Sequence, residues 1–160
     1  MKKTIMVIAA SAILAACGQS ASDKKPMTAE SGLQYKVVAS GPEDGISPTP
    51  GQIVCVHYRG TFISGEEFDS SYSRNLPTAF PSNGVIAGWV EALAMMRPGD
   101  KWQLTIPPEL AYGSTGTPGG SIGPNETLMF DVELLKVLDI SMQEYMQTYR
   151  MNPTLDCSKP

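Results

Sequence analysis

The chain has 160 residues, 42% of them hydrophobic, and a formal net charge of −4. That length predicts one domain, and the apolar content is too high for a disordered chain. An acidic balance with no long basic run speaks against nucleic-acid binding, and no nucleic-acid partner is expected.

Met1-Lys2-Lys3 is a short basic start, and an apolar run from Ile5 to Ala16 follows, broken only by Ser11. The run is too short to span a bilayer as a helix and fits the hydrophobic part of a secretory signal. Leu14-Ala15-Ala16-Cys17-Gly18 resembles the bacterial lipoprotein box. That resemblance implies cleavage before Cys17 and lipidation of its sulfur; the alternative is an ordinary signal peptide cut near Ala16. Residues 1–16 are read as a lipoprotein signal peptide and residues 17–30 as a lipidated, polar, flexible tether. Loss of Lys2 and Lys3 takes the charge from −4 to −6. A random coil of the tether's length spans roughly 20 Å, enough to hold a domain beside a membrane. Gly18 and Gln19 follow the cysteine, with no Asp. By resemblance to lipoprotein sorting, this implies the periplasmic side of the outer membrane in a bacterial cell envelope.

Strands follow. Leu33, Tyr35 and Val37 alternate with Gln34 and Lys36; Val54, Val56 and Tyr58 with Cys55, His57 and Arg59. Trp102, Leu104 and Ile106 alternate with Lys101, Gln103 and Thr105; Leu128, Phe130, Val132 and Leu134 with Met129, Asp131, Glu133 and Leu135. Period-two runs with one apolar face predict antiparallel strands with one wet side. The segment 41–51 is rich in proline and glycine and reads as loop. Between strands, Val85-Ile86-Ala87-Gly88-Trp89 opens a short helical pattern that puts Trp89, Leu93 and Met96 on one face and stops at Arg97-Pro98-Gly99. So large a face on so short a helix needs a curved sheet around it. The fold class is therefore α+β, an antiparallel sheet curled over one helix. Two loops, one with Phe68-Asp69-Ser70-Ser71 leading through Arg74 to Phe80 and one with Ala111-Tyr112-Gly113 and five glycines, are long enough to be functional.

Five segments stand in one order: Val56-His57-Tyr58-Arg59-Gly60, Phe68-Asp69-Ser70-Ser71, Val85-Ile86-x-Gly88-Trp89, Ala111-Tyr112-Gly113 and Phe130-Asp131-Val132-Glu133-Leu134-Leu135. In order and spacing the chain resembles the FKBP-type peptidyl-prolyl cis-trans isomerases over residues 31–138. The resemblance implies a twisted antiparallel half-barrel wrapped around one short helix. It also implies an enzyme that accelerates rotation about X-Pro bonds, with no cofactor and no metal, acting on proline-containing exported polypeptides.

Rotation about a peptide bond faces a barrier of ~18–20 kcal/mol. No bond breaks, so no nucleophile is needed; the amide turns more easily when its resonance is weakened by desolvation or twisting. By resemblance, the prolyl ring sits on Trp89, walled by Tyr58, Phe68, Val85, Ile86 and Phe130. The Ile86 N–H and the Tyr112 hydroxyl bond substrate carbonyls. Asp69 receives the Tyr58 hydroxyl and the Arg74 guanidinium, and Ile122 covers the pocket. Tyr58, Asp69 and Tyr112 are the candidate catalytic residues. Phe68, Arg74, Val85, Ile86, Trp89, Ile122 and Phe130 are the candidate substrate-binding residues. Taken singly, Trp89 reads as core, Asp69 with Arg74 as an ordinary ion pair of small worth, and His57, the one histidine, as no basis for a metal site or triad. The alternative function is a non-catalytic proline-peptide binding module or holdase.

Family members often carry an aromatic residue where Thr78 stands and a tighter, more apolar loop than Gly119 to Gly123, so a more open and mobile rim is expected. Residues 139–160 form a tail outside the resemblance. Ser141 is placed to cap a helix through about Tyr149, with Met142, Tyr145, Met146 and Tyr149 on its apolar face and Pro153 beyond. With Cys17 lipidated, Cys55 and Cys157 remain in an oxidising compartment. Cys55 lies on the strand face away from the pocket, and a Cys55–Cys157 disulfide pinning the tail is the hypothesis, two unpaired thiols the alternative. With no long dimerising helix before the domain, a monomer is expected.

Overall fold

The computed structural model of the chain describes residues 25–151 and Cys157. The expected signal peptide, the lipidated Cys17, the start of the tether and Pro153 lie outside the described residues. Seven strands are present: β1 (Met27–Thr28), β2 (Gln34–Ala39), β3 (Ile53–Phe62), β4 (Glu67–Ser70), β5 (Thr78–Pro81), β6 (Lys101–Ile106) and β7 (Leu128–Leu138). Helix α1 (Ala87–Met95) lies between β5 and β6, and helix α2 (Met142–Met151) follows β7. No helix among the described residues is long and apolar enough to cross a membrane.

All pairings are antiparallel, in the order β1-β2-β6-β7-β3-β4, with β5 also on β3. The sheet stays open. Strands β4 and β5 share one edge of β3: β4 meets its C-terminal half through Arg59↔Ser70 and Gly60↔Asp69, and β5 its N-terminal half through Val54↔Phe80 and Cys55↔Ala79. Those two strands sit where the sequence reads as loop, and β1 lies in what reads as tether. All three are too short to show a period.

The alternating apolar positions converge on α1. Val56, Leu104, Ile106, Leu128, Phe130, Val132 and Leu134 form one core with Trp89, Ala92, Leu93 and Met96. Helix and sheet approach closely because position 88 is glycine: a Cβ there would lie 2.6 Å from Ile106 Cγ2. The helix stops as the sequence predicts. Gly99 takes a φ of +92°, and buried Asp100 accepts the Arg97 N–H at 2.9 Å and the Gly41 N–H at 2.6 Å.

One stretch departs from simple alternation. Ile53, Val54, Cys55 and Val56 are all fully buried. Their outer side is covered by a second cluster of Ile53, Cys55, Ala79, Tyr145 and Cys157, with Leu135, Leu138 and Ile140 against it. Cys55 and Cys157 are joined by a disulfide, 102 residues apart in sequence. Ser141 caps α2, accepting the Glu144 N–H at 3.1 Å. Only part of the expected apolar face of α2 is used: Tyr145 is buried, whereas Met142 and Met146 are each 45% exposed. Helical spacing sets Met142, Tyr145 and Met146 on one side, and of these three Tyr145 is the one packed in the outer cluster; the Tyr149 side chain lies outside the described residues.

Candidate active site

Trp89 lies in the first turn of α1, 4% exposed, with its indole turned toward β3 and β7. Three rings meet it edge-on: Tyr58 at 5.4 Å, Phe130 at 5.3 Å and Phe80 at 5.6 Å between centroids. Phe68 stands edge-on to Phe130 at 5.6 Å. Crossed rings present edges to faces, the arrangement their quadrupoles favour. Together they enclose a cavity of about 280 Å³ lined also by Asp69, Thr78, Gly84, Val85, Ile86 and Tyr112. Gly60 makes the wall possible: a Cβ there would lie 2.6 Å from the Phe68 ring and 2.8 Å from that of Phe130.

The polar groups gather on one side. The Tyr58 hydroxyl donates to Asp69 Oδ2 at 2.5 Å. Arg74 donates to Asp69 Oδ1 through one guanidinium nitrogen and to the Tyr58 oxygen through the other, the latter at 2.9 Å. Burial pushes the Asp69 carboxyl up, but the Tyr58 hydrogen bond, then the hydrogen bond and charge of Arg74, outweigh it and hold the group below the ordinary carboxylate range. Burial first, then the Asp69 carboxylate, push the Tyr58 phenol above its ordinary value against the pull of Arg74. At neutral pH the triad is therefore an anion, a neutral phenol and a cation. Beneath it, fully buried Ser71 receives the Tyr58 N–H on its Oγ at 2.8 Å, and the Ser71 N–H donates to the Tyr58 carbonyl at 2.9 Å.

On the other side lie two donors with no partner among the described residues, the Ile86 N–H and the Tyr112 hydroxyl. Ile86 precedes α1, and its carbonyl accepts the N–H groups of Trp89 and Val90 at 2.9 and 3.1 Å. Its own N–H is one of the donors a helix start leaves unsatisfied. Tyr112 is 40% exposed at the cavity rim.

Tyr58, Phe68, Asp69, Val85, Ile86, Trp89, Tyr112 and Phe130 all line the cavity. Arg74 does not; it acts on it through Asp69 and Tyr58. Ile122 is 5% exposed, in the core cluster that also holds Trp89 and Phe130, and is not among the residues that line the cavity. Gly116 at φ +72° lets the loop tighten, with the Thr117 N–H bonded to the Ile122 carbonyl and the Ile122 N–H to Thr117 Oγ1, both at 2.9 Å. Those two bonds tie the loop between Thr117 and Ile122. Thr78, which the family resemblance placed at the rim, is in the lining; two further lining residues, Phe80 and Gly84, escape the sequence reading as site residues, and the signal for Phe80 was its alternation with Ala79. Among the described residues no group of three or more His, Cys, Asp or Glu side chains is placed to hold a metal.

Comparison with known proteins agrees with this geometry. Residues 45–135 match the model of the FKBP-type peptidyl-prolyl cis-trans isomerase family. The chain is 54% identical over 109 residues to the FKBP-type 22 kDa peptidyl-prolyl cis-trans isomerase of Escherichia coli K12, covering 68% of this chain and 52% of that protein. It is 52% identical over 110 residues to the peptidyl-prolyl cis-trans isomerase Mip of Coxiella burnetii, covering 69% and 46%. It thus spans about half the length of these curated relatives. Among solved structures, FkpA from Escherichia coli superposes with a TM-score of 0.66 at 50% identity, covering 72% of this chain and 53% of that one. AtFKBP13 superposes at 0.65 and 36% identity, covering 71% and 99%. The match spans more than half of the chain and takes in the aromatic cradle and the Tyr58–Asp69–Arg74 cluster: the chain belongs to the FKBP-type peptidyl-prolyl cis-trans isomerase family.

Proposed function

We propose that the chain is a peptidyl-prolyl cis-trans isomerase that accelerates X-Pro rotation in exported polypeptides. The observation that carries the proposal is the juxtaposition of an aromatic floor at Trp89 with two donors left without partners among the described residues, the Ile86 N–H and the Tyr112 hydroxyl, across from the internally bonded Tyr58–Asp69–Arg74 cluster. A prolyl ring seated on Trp89 would bring the preceding imide carbonyl into an apolar wall, where loss of water weakens its resonance. The Ile86 N–H and Tyr112 would hold flanking carbonyls and favour a twisted over a planar imide. Asp69, fixed by Tyr58 and Arg74, would place an oriented charge beside the bond whose electron density shifts. None of these steps moves a proton or forms a covalent intermediate.

The envelope setting is part of the same proposal. One relative, 43% identical over 120 residues, is named outer membrane protein MIP in Legionella longbeachae, with half its length covered. With the lipoprotein-like Leu14-Ala15-Ala16-Cys17, this favours a domain tethered to the periplasmic side of the outer membrane.

The test is a proline-peptide isomerisation assay with Asp69→Ala and Trp89→Ala alongside. The wild type should accelerate exchange and both variants should lose most of that acceleration. A wild type that binds proline peptides without accelerating exchange would establish the binding-module alternative instead.

A further inference from the structure

The cavity wall beside Tyr58 is carried in part by a short edge strand. Strand β5 has four residues and, among the described residues, pairs only with β3, on the edge it shares with β4. It nevertheless presents Thr78 and Phe80 to the cavity, and the Phe80 ring meets the edge of Trp89. A strand paired on one side exposes backbone groups on the other. Here that outer side is not empty. The Tyr145 hydroxyl of α2 donates to the Ala79 carbonyl at 3.0 Å, and the tyrosine is 7% exposed. Ala79, between the two wall residues, points into the second cluster with Tyr145 and Cys157. The disulfide fastens Cys157 to Cys55, the residue paired with Ala79 across the strands. Two links, one polar and one covalent, therefore converge from the tail on the middle of β5. Both come from beyond residues 45–135, the segment the family model matches.

We propose that Tyr145 is a positioning residue for the cavity: with the Cys55–Cys157 bond it sets how far β5 presses Phe80 and Thr78 against Trp89, and so how tightly the residues flanking proline are gripped. Tyr145 touches no substrate and acts through Ala79. Because Phe80 contacts ground state and transition state alike, loosening it raises KM more than it lowers kcat. The inference rests on the proposed isomerase activity for its kinetic readout, and a second readout frees it from that dependence.

The experiment uses the full chain carrying Trp102→Phe, so that Trp89 is the sole indole. Tyr145→Phe removes the phenol oxygen and keeps the ring in place. Met146→Ala, on the exposed side of the same helix, is the control. Tyr145→Phe should shift the Trp89 emission maximum and lower kcat/KM by about three- to tenfold, the range of one lost hydrogen bond, chiefly through KM. Opening the disulfide with excess dithiothreitol should move both readouts in the same direction, and Met146→Ala should move neither. An unfolding midpoint that falls with Trp89 emission and KM unchanged would make Tyr145 merely structural and overturn the proposal. If the wild type proves inactive, the proposed activity fails while the emission shift still decides whether the tail positions the wall.

Discussion

The two walls over Trp89 are built on opposite plans. On the Tyr58 side every polar group is already paired: Tyr58 with Asp69, Asp69 with Arg74, Arg74 with Tyr58, and Ser71 beneath. On the Ile86–Tyr112 side the donors are left without partners among the described residues. A paired wall costs little to keep in place and offers a substrate shape and field. An unpaired wall offers hydrogen bonds, and only when something arrives to accept them. The contrast assigns the first wall to geometry and the second to recognition.

The largest break in this arrangement is at the floor both walls share. Trp89→Ala should destabilise the domain by roughly 3–5 kcal/mol, the range for truncating a buried tryptophan, and abolish measurable acceleration. Urea denaturation and the peptide assay check both. Next comes the paired wall. Asp69→Asn keeps the size and loses the charge, and should lower kcat/KM about tenfold, equivalent to ~1.4 kcal/mol. Its effect on stability should stay below about 1 kcal/mol, because the Asp69–Arg74 pair is nearly half exposed. A stability loss larger than the activity loss would make the cluster structural. The unpaired wall should yield less. Tyr112→Phe removes one donor from an exposed rim and should lower kcat/KM about threefold while leaving the unfolding midpoint unchanged.

The smallest effect separates the walls by pH. Asp69 has a depressed pKa in the folded state, so its contribution is present above the unfolded value, ~3.9, and is lost as pH falls through the lower folded value. Tyr58 is raised, so its contribution is present below the unfolded value, ~10, and is lost as pH rises through the higher folded one. On the sheet's outer face, Tyr72 is pushed up to about 12, by burial first and then by the Glu133 carboxylate, and its contribution fades over the same alkaline window. Stability and kcat/KM should therefore be flat between about pH 5 and 9.

Much of the fold was legible because it is periodic. Four long runs alternated with period two, and their apolar faces are the core around α1. The short strands β4 and β5 were not legible: four residues are too few to establish a period, and only pairing with β3 makes them strands. Burial of both faces at Ile53 to Val56 was hidden too, since it depends on a tail arriving from 100 residues away. Most of the candidate site was legible through five local motifs that retain residue type and spacing. Phe80 was missed because its strand was missed. Residue type fixes Ile122's preference for dry surroundings, which its burial meets, but not its exact neighbours.

The disulfide has a topological consequence. Residues 55 and 157 close a covalent ring that contains β4 to β7, both helices and the whole lining of the cavity. A protease that cuts the exposed glycine-rich turn after Tyr112 would make two pieces that remain one molecule until a reductant separates them. The ring also closes late: Cys157 follows every strand of the described residues, so the cross-link can form only after those strands have been made.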